Sequence, residues 1–170
     1  GVIMRTVLCL MIVVAGGVSH ASEPKDPLAR DQVVAWCIVP FDAKKRDPAA
    51  RAAMVKSLGL TKVAYDWRPE HVSTFEEEIR QYRQNGIEMV AFWGTHESAF
   101  ALFAKYKMTP QIWQTAPSPK GATDAEKVTV AVKELLPLVE RTKKAGCKLG
   151  LYNHGGWGGE PENMVAVCEY

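Results

Sequence analysis

An α/β fold is predicted by two regularities of this 170-residue sequence. Short apolar runs recur five times, and each run turns into polar or aromatic residues where it ends. Segments with helical spacing of apolar residues separate the runs, and three of them stop at a glycine, at Gly59, Gly86 and Gly146. Strands that alternate with helices in this way indicate a parallel sheet with right-handed crossovers.

The five apolar runs are the predicted strands. The first, over residues 33–39, is apolar at every position, which is typical of a strand covered on both faces. The others are predicted at 62–65, at 88–93, at 111–113 and in a run that starts at Lys148. Polar or aromatic residues follow each run, so the strand ends carry the candidate functional groups.

The helix starts are marked by capping residues. Asp47 is a good N-cap because a proline follows it at the first helical position. Ser73 with Glu76, and Thr123 with Glu126, have the spacing of capping boxes. These signals place a helix after the first, second and fourth strands.

The N-terminus is predicted to be a signal peptide. A positive charge at Arg5, an apolar run over 7–18 and small residues at the expected cleavage site are its three parts. We therefore expect residues 1–21 to be removed by cleavage after Ala21, residues 22–32 to form a linker, and the protein to be secreted or periplasmic. The run is shorter than the roughly 20 residues that span a bilayer, so we expect no stable membrane insertion after cleavage. An uncleaved N-terminal anchor is the alternative.

Composition argues against two further classes of function. The chain carries 21 Lys and Arg against 19 Asp and Glu, without a block of like charge, whereas a nucleic-acid partner requires clustered basic residues.

Cleavage of the signal peptide leaves Cys37, Cys147 and Cys168. Their odd number and their spacing predict neither a complete disulfide framework nor a zinc site, so we interpret them as small buried residues.

Two architectures accommodate five β–α units. A doubly wound, nucleotide-binding sheet usually carries a glycine-rich turn after its first strand, but residues 39–42 are Val-Pro-Phe-Asp. A (β/α)8 barrel instead places its site on the loops after every strand, as the polar strand ends here suggest. A complete barrel takes about 250 residues. Residues 33–170 are therefore predicted to be a partial (β/α)8 TIM barrel, truncated at the C-terminus.

All five tryptophans lie in or just after the predicted strands. The flat apolar face of a tryptophan stacks on the C–H surface of a sugar ring, so the tryptophans indicate a carbohydrate ligand. The candidates for substrate binding are Trp67, Trp93, Trp113 and Trp157. The alternative is that they fill the barrel interior or pack under helices, which is the favoured interpretation for Trp36 within its apolar run.

Polar candidates lie at two strand ends. Asp66 and Arg68 can bind substrate hydroxyls or a phosphate, and a local ion pair is the alternative. His154 follows the fifth strand and precedes two glycines that allow backbone to approach a ligand, so it is a candidate general acid or base. Asn153 can orient it or bind a hydroxyl. Glu160 can be a base or metal ligand, or can cap the next helix.

Three segments resemble the xylose isomerase-like TIM-barrel family, often called sugar phosphate isomerases/epimerases. They are residues 36–42, 64–68 and 151–157, and the Asn-His-Gly-Gly sequence in the last is the most specific. The resemblance implies a divalent metal (Mn, Mg, Co or Zn) that polarises a sugar carbonyl, with ligands from strands five to eight. Many members carry a glutamate directly before the asparagine, where this chain has Tyr152. Others carry it in the following loop, where Glu160 is the match.

Two functions follow as expectations. The first is an exported, metal-dependent isomerase or epimerase that moves a proton next to the carbonyl of a sugar or cyclitol. The second is a non-catalytic carbohydrate-binding barrel, which Tyr152 favours. In either case the partner is a small-molecule carbohydrate or cyclitol, and we expect this chain alone to be catalytically inactive.

Overall fold

The computed structural model describes residue 26 and residues 28–170. The predicted signal peptide and five of the eleven predicted linker residues lie outside the described residues. The strands are β1 (Val34–Trp36), β2 (Lys62–Tyr65), β3 (Glu88–Trp93), β4 (Gln111–Thr115) and β5 (Leu149–Tyr152). The helices between and after them are α1 (Pro48–Ser57), α2 (Phe75–Gln84), α3 (Glu97–Tyr106), α4 (Asp124–Lys144) and α5 (Pro161–Glu169).

The strands form one parallel sheet in the order β1-β2-β3-β4-β5. The predicted α/β fold and the alternation of strands with helices are therefore confirmed. Strand order follows chain order without reversal. Strand β1 is shorter than the predicted 33–39 and ends at Trp36. The next residue, Cys37, adopts a left-handed backbone conformation (φ 57°), which directs the chain away from the hydrogen bonds of the sheet.

The predicted helix boundaries have mixed outcomes. Asp47 caps α1 by accepting a hydrogen bond from the amide of Ala50 at 2.8 Å, and Thr123 with Glu126 forms the predicted capping box. The predicted box at Ser73 is wrong, because residues Pro69–Thr74 form a 3₁₀ helix that delays the start of α2. Gly59, Gly86 and Gly146 all have positive φ, at 72°, 68° and 70°, so all three are helix-ending glycines as predicted.

Helices α1, α2 and α3 pack on one face of the sheet. The strand residues that face them, among them Val63, Tyr65, Phe92 and Ile112, are at most 2% exposed. Phe92 shows how this layer is built, since its ring contacts Phe103 of α3 at 5.2 Å between centroids. This helix-covered face is the hydrophobic core of the described chain.

A charged pair is buried within this layer. Arg51 of α1 and Glu78 of α2 are 5% and 0% exposed, and a guanidinium N–H of Arg51 donates to Glu78 at 2.5 Å. The hydroxyls of Tyr65 and Tyr82 lie in the same interior. Burial, together with the Glu78 carboxylate, raises the pKa of both tyrosines.

The cysteines differ from one another in burial. Cys147 is buried as predicted, whereas Cys168 is exposed and Cys37 is half-buried. The prediction is wrong for Cys168 because it lies on α5, a helix in which no residue is buried. In the part of the chain that the structure describes, no helix combines the length and apolar character needed to cross a membrane.

Candidate functional site

Four aromatic rings form a continuous group on the face of the sheet opposite helices α1 to α3. They belong to Trp36 of β1, Trp93 of β3, Trp113 of β4 and Tyr152 of β5, and we call this group the aromatic face. Every pair among the four is in contact, with centroid separations from 4.7 Å (Trp93 and Tyr152) to 6.4 Å. T-shaped and stacked arrangements both occur, and such geometries are favourable for aromatic pairs.

The two-residue period of the strands puts these rings on one side. In β3 the side chain of Phe92 faces the helices, so the side chain of the next residue, Trp93, faces the other way. In β4 Ile112 is fully buried and Trp113 follows it. Trp93 and Trp113 are register partners, which brings their rings together.

Small residues on β2 and β3 leave space for the ring of Trp36. Trp36 is in register with Ala64 of β2, and Ala64 is in register with Ala91 of β3. The indole of Trp36 therefore meets no bulky side chain at these two positions and can extend across them to the ring of Trp93. It reaches Trp113 and Tyr152 at 6.0 and 5.3 Å between centroids.

The contact between Trp36 and Tyr152 also reports the curvature of the sheet. Their strands are the first and the fifth, which lie about 19 Å apart across a flat sheet at the usual strand spacing. A Trp and a Tyr side chain lying flat on such a sheet are too short to bring their rings into contact across that distance. The sheet therefore curls, and the aromatic face lies on its concave side.

The aromatic face is partly open to solvent. Trp36 is 39% exposed, and Trp93, Trp113 and Tyr152 are each partly exposed. The helix-covered side of the same strands is closed, with Ile112 at 0%. An accessible group of flat apolar rings at the carboxyl ends of parallel strands is a candidate binding surface.

Asp66 and Arg68 form a local ion pair after the end of β2. A guanidinium N–H of Arg68 donates to Asp66 Oδ1 at 2.8 Å and also to the Trp67 carbonyl at 2.7 Å. The other carboxylate oxygen of Asp66 lies 3.8 Å from Cys37 Sγ. Burial and the Asp66 charge raise the pKa of the Cys37 thiol. Asp66 is 6% exposed, so the more accessible of the two predicted ligand-binding groups is Arg68.

Trp67 and Trp157 lie away from the aromatic face. The indole N–H of Trp67 donates to the Trp93 carbonyl at 2.6 Å, and its ring packs on the core residues Phe75 and Phe92. The structure therefore brings together Trp93 and Trp113 of the predicted set, and places Trp67 against the helix-covered side.

Trp157 is held by the start of α4. Its indole N–H donates to Asp124 Oδ1 at 2.9 Å, and the ammonium of Lys127 lies 5.8 Å from the ring centre. The Trp157 N–H and Lys127 hold the pKa of the Asp124 carboxyl below its usual value. These contacts fix the β5–α5 loop to the helix.

Asn153 and the glycines that follow His154 shape that loop. The Asn153 amide donates to the Gly159 carbonyl at 2.6 Å and its Oδ1 accepts from the Gly155 amide at 2.9 Å. Gly158 lies against the Pro117 carbonyl, where a side chain would collide with backbone. Neither of these hydrogen bonds involves His154, so the role of Asn153 in orienting that imidazole stays a prediction.

His154 is the predicted polar residue that the structure brings next to the aromatic face. Its side chain is exposed, and its imidazole lies 6.1 Å from the Tyr152 ring between centroids. Glu160 is exposed at the N-cap position of α5, and its side chain makes no capping hydrogen bond. The alternative therefore has the predicted position at the start of the helix, where a negative charge is favourable even without a capping hydrogen bond.

The residues at the end of β5 do not by themselves fit a divalent metal. They offer one imidazole at His154 and one carboxylate at Glu160, while the Tyr152 ring packs among the tryptophans. Across the described residues, His, Cys, Asp and Glu side chains form no group of three or more that could hold a metal ion. A zinc site generally has three or four protein ligands, so one imidazole and one carboxylate are too few for it.

Sequence reasoning missed two members of the aromatic face. The apolar run around Trp36 predicts packing, and the sequence motif marks Tyr152 only as a position where a carboxylate is expected. The signal that identifies them is the two-residue period combined with register. Each ends its strand on the side that also carries Trp93 and Trp113.

Comparisons with protein-family models, with curated proteins and with solved structures find no match. The resemblance to xylose isomerase-like barrels remains a prediction from the sequence motifs.

Proposed function

We propose that the protein binds the ring of a sugar or cyclitol at its aromatic face. The observation that carries this proposal is that four rings touch one another and are still partly exposed. A sugar ring offers an apolar C–H surface to such rings, and its hydroxyls then lie at the rim. Two polar groups contact these rings, the imidazole of His154 beside Tyr152 and the amide of Gln111, which accepts a hydrogen bond from Trp113.

A (β/α)8 barrel is the architecture that we propose around this site. Doubly wound sheets reverse their strand order at a switch point, whereas successive barrel strands are neighbours, as they are here. The concave sheet and the position of the rings at the strand ends support the same architecture. A closed barrel has eight strands, so three further strands would complete the five described.

Ligand titration of the full chain tests the proposal. A panel of aldoses, ketoses and cyclitols is added while tryptophan emission and the indole N–H signals in NMR spectra are followed. We expect at least one compound to give a saturable change, because three tryptophans belong to the aromatic face. If no compound changes either signal up to high millimolar concentration, the proposal is wrong.

Isomerisation or epimerisation of the bound sugar is the second candidate function. It is favoured by the exposed imidazole of His154 beside the Tyr152 ring. A neutral imidazole there can accept a proton from the carbon next to a carbonyl and return it to a neighbouring carbon. A divalent metal would supply carbonyl polarisation, but the residues present do not fit one, so no step is assigned to it.

Solvent exchange distinguishes the two functions. An isomerase or epimerase incorporates deuterium from D₂O into the carbon-bound position of its sugar, and a binding protein does not. We expect binding without exchange for this chain. Exchange that is lost in His154→Asn would establish the enzymatic function instead. The proposed export is checked separately, by N-terminal sequencing of secreted protein for a start after Ala21.

A further inference from the structure

Gln111 occupies an unexpected place at the edge of the aromatic face. It is the first residue of β4, two positions before Trp113, so the two side chains lie on the same side of the sheet. The indole N–H of Trp113 donates to Gln111 Oε1 at 2.7 Å. A side-chain amide thus fixes the orientation of one of the four rings.

Gly150 leaves the space in which this amide lies. It is the register partner of Trp113 on β5. A Cβ atom at position 150 would lie 2.8 Å from Gln111 Cδ and 2.9 Å from Nε2. Those separations are shorter than ordinary van der Waals contact, so any other residue at this position would displace the amide.

The bond from Trp113 determines what Gln111 can offer a ligand. An indole N–H is only a donor, so the amide oxygen must face it and Nε2 must point elsewhere. Gln111 is exposed, and within the described residues its Nε2 makes no hydrogen bond. Two N–H donors are therefore available beside the rings.

We propose that Gln111 is a further ligand-binding residue, which donates from Nε2 to a hydroxyl or carbonyl oxygen of a sugar on the aromatic face. This proposal rests on the proposed function. The ring of the sugar would lie on the aromatic surface, and the amide would select for an oxygen at one edge. Gly150 is then required because its missing side chain keeps the amide in place.

A double-mutant cycle with Trp113 separates contact from positioning. Gln111→Leu removes the amide, and Trp113→Phe keeps a ring but releases the amide from its N–H partner. Sugar affinity is measured by NMR titration for both single variants, the double variant and the unchanged chain. We expect Gln111→Leu to weaken binding about tenfold in both backgrounds, as the loss of one hydrogen bond to the ligand would.

Each outcome bears on one proposal or the other. An affinity unchanged by Gln111→Leu, or lowered by it only when Trp113 is present, overturns a direct contact. Absence of sugar binding in the unchanged chain overturns the proposed function itself and this inference with it. Gly150→Ala provides an independent check, because it displaces Gln111 without altering it and should weaken binding to a similar degree. Near-ultraviolet circular dichroism verifies that the variants keep folded aromatic packing.

Discussion

The two faces of the sheet differ in what covers them, although both are apolar. On the helix-covered face, Val63 and Ile112 are fully buried. On the opposite face, Trp36 remains 39% exposed and its neighbours Trp93 and Trp113 are partly exposed. An antiparallel sheet with one solvent-facing side carries polar residues there, whereas a parallel sheet is apolar on both. The aromatic face is therefore apolar like the helix-covered face, but it remains accessible to solvent.

The same difference separates the tryptophans into two kinds. The indole N–H of Trp67 donates a hydrogen bond to the Trp93 carbonyl at the end of β3, and that of Trp157 donates to Asp124 and so anchors the β5–α5 loop. Trp36 and Trp93 contribute ring surface to the concave side instead. Location at a strand end thus does not identify a ligand-binding tryptophan unless the side of the sheet is also known.

The largest expected effect compares adjacent residues on the two faces. Phe92→Ala should lower the free energy of unfolding by about 3–5 kcal/mol, because it opens a cavity in a closed core. Trp93→Ala should cost only about 1–2 kcal/mol, since its ring is already partly exposed and less area returns to water. Denaturant unfolding measures both. Equal losses would contradict the distinction between the faces.

The buried ion pair tests the helix-covered face in another way. Glu78→Leu should cost about 3 kcal/mol, because it leaves the Arg51 guanidinium buried without its partner. Adding Arg51→Met to that variant should restore most of the loss, since two apolar side chains then fill the space. Chemical denaturation of the two variants checks this. A double variant no more stable than Glu78→Leu would show that the pair itself holds α1 to α2.

The fold was largely predictable because its signals are local. Helix-ending glycines such as Gly86, and the N-cap at Asp47, act within a few residues, so the alternation of elements follows from the sequence. The early end of β1 was not predictable from apolar character. It depends on the left-handed backbone at Cys37, which a continuous apolar run conceals.

The candidate site was predictable only in part, because its formation depends on register between distant strands. Trp93 and Trp113 were identified from their strand ends, but Trp36 joins them through small residues on two intervening strands. The contact of Trp36 with Tyr152 also requires the sheet to curl. Neither the register nor the curvature is encoded in a local motif.

Ligand binding should depend on the tryptophans of the aromatic face and not on Trp157. Trp36→Ala should weaken sugar binding about tenfold, equivalent to about 1.4 kcal/mol, because it removes a ring that contacts all three others. Trp157→Phe is the matched control and should leave the affinity unchanged. Isothermal titration calorimetry compares them. A loss of affinity in Trp157→Phe alone would place the ligand on the β5–α5 loop instead.

The smallest expected effect is a pH dependence of the indole N–H signal of Trp157 alone. Its N–H and Lys127 depress the pKa of Asp124 in the folded protein. The contact is therefore stabilising at pH values above the pKa of the carboxyl in the unfolded chain, about 4, and is lost as the pH falls through the lower pKa of the folded state. The indole N–H signal of Trp157 should therefore shift only below about pH 4. The signals of Trp36 and Trp93 should not follow it, because ring contacts rather than a carboxylate hold them. NMR spectra between pH 7 and the onset of acid unfolding measure this, with Asp124→Asn as the control that abolishes the shift. Signals that move together would mean that the loop and the aromatic face respond as one unit.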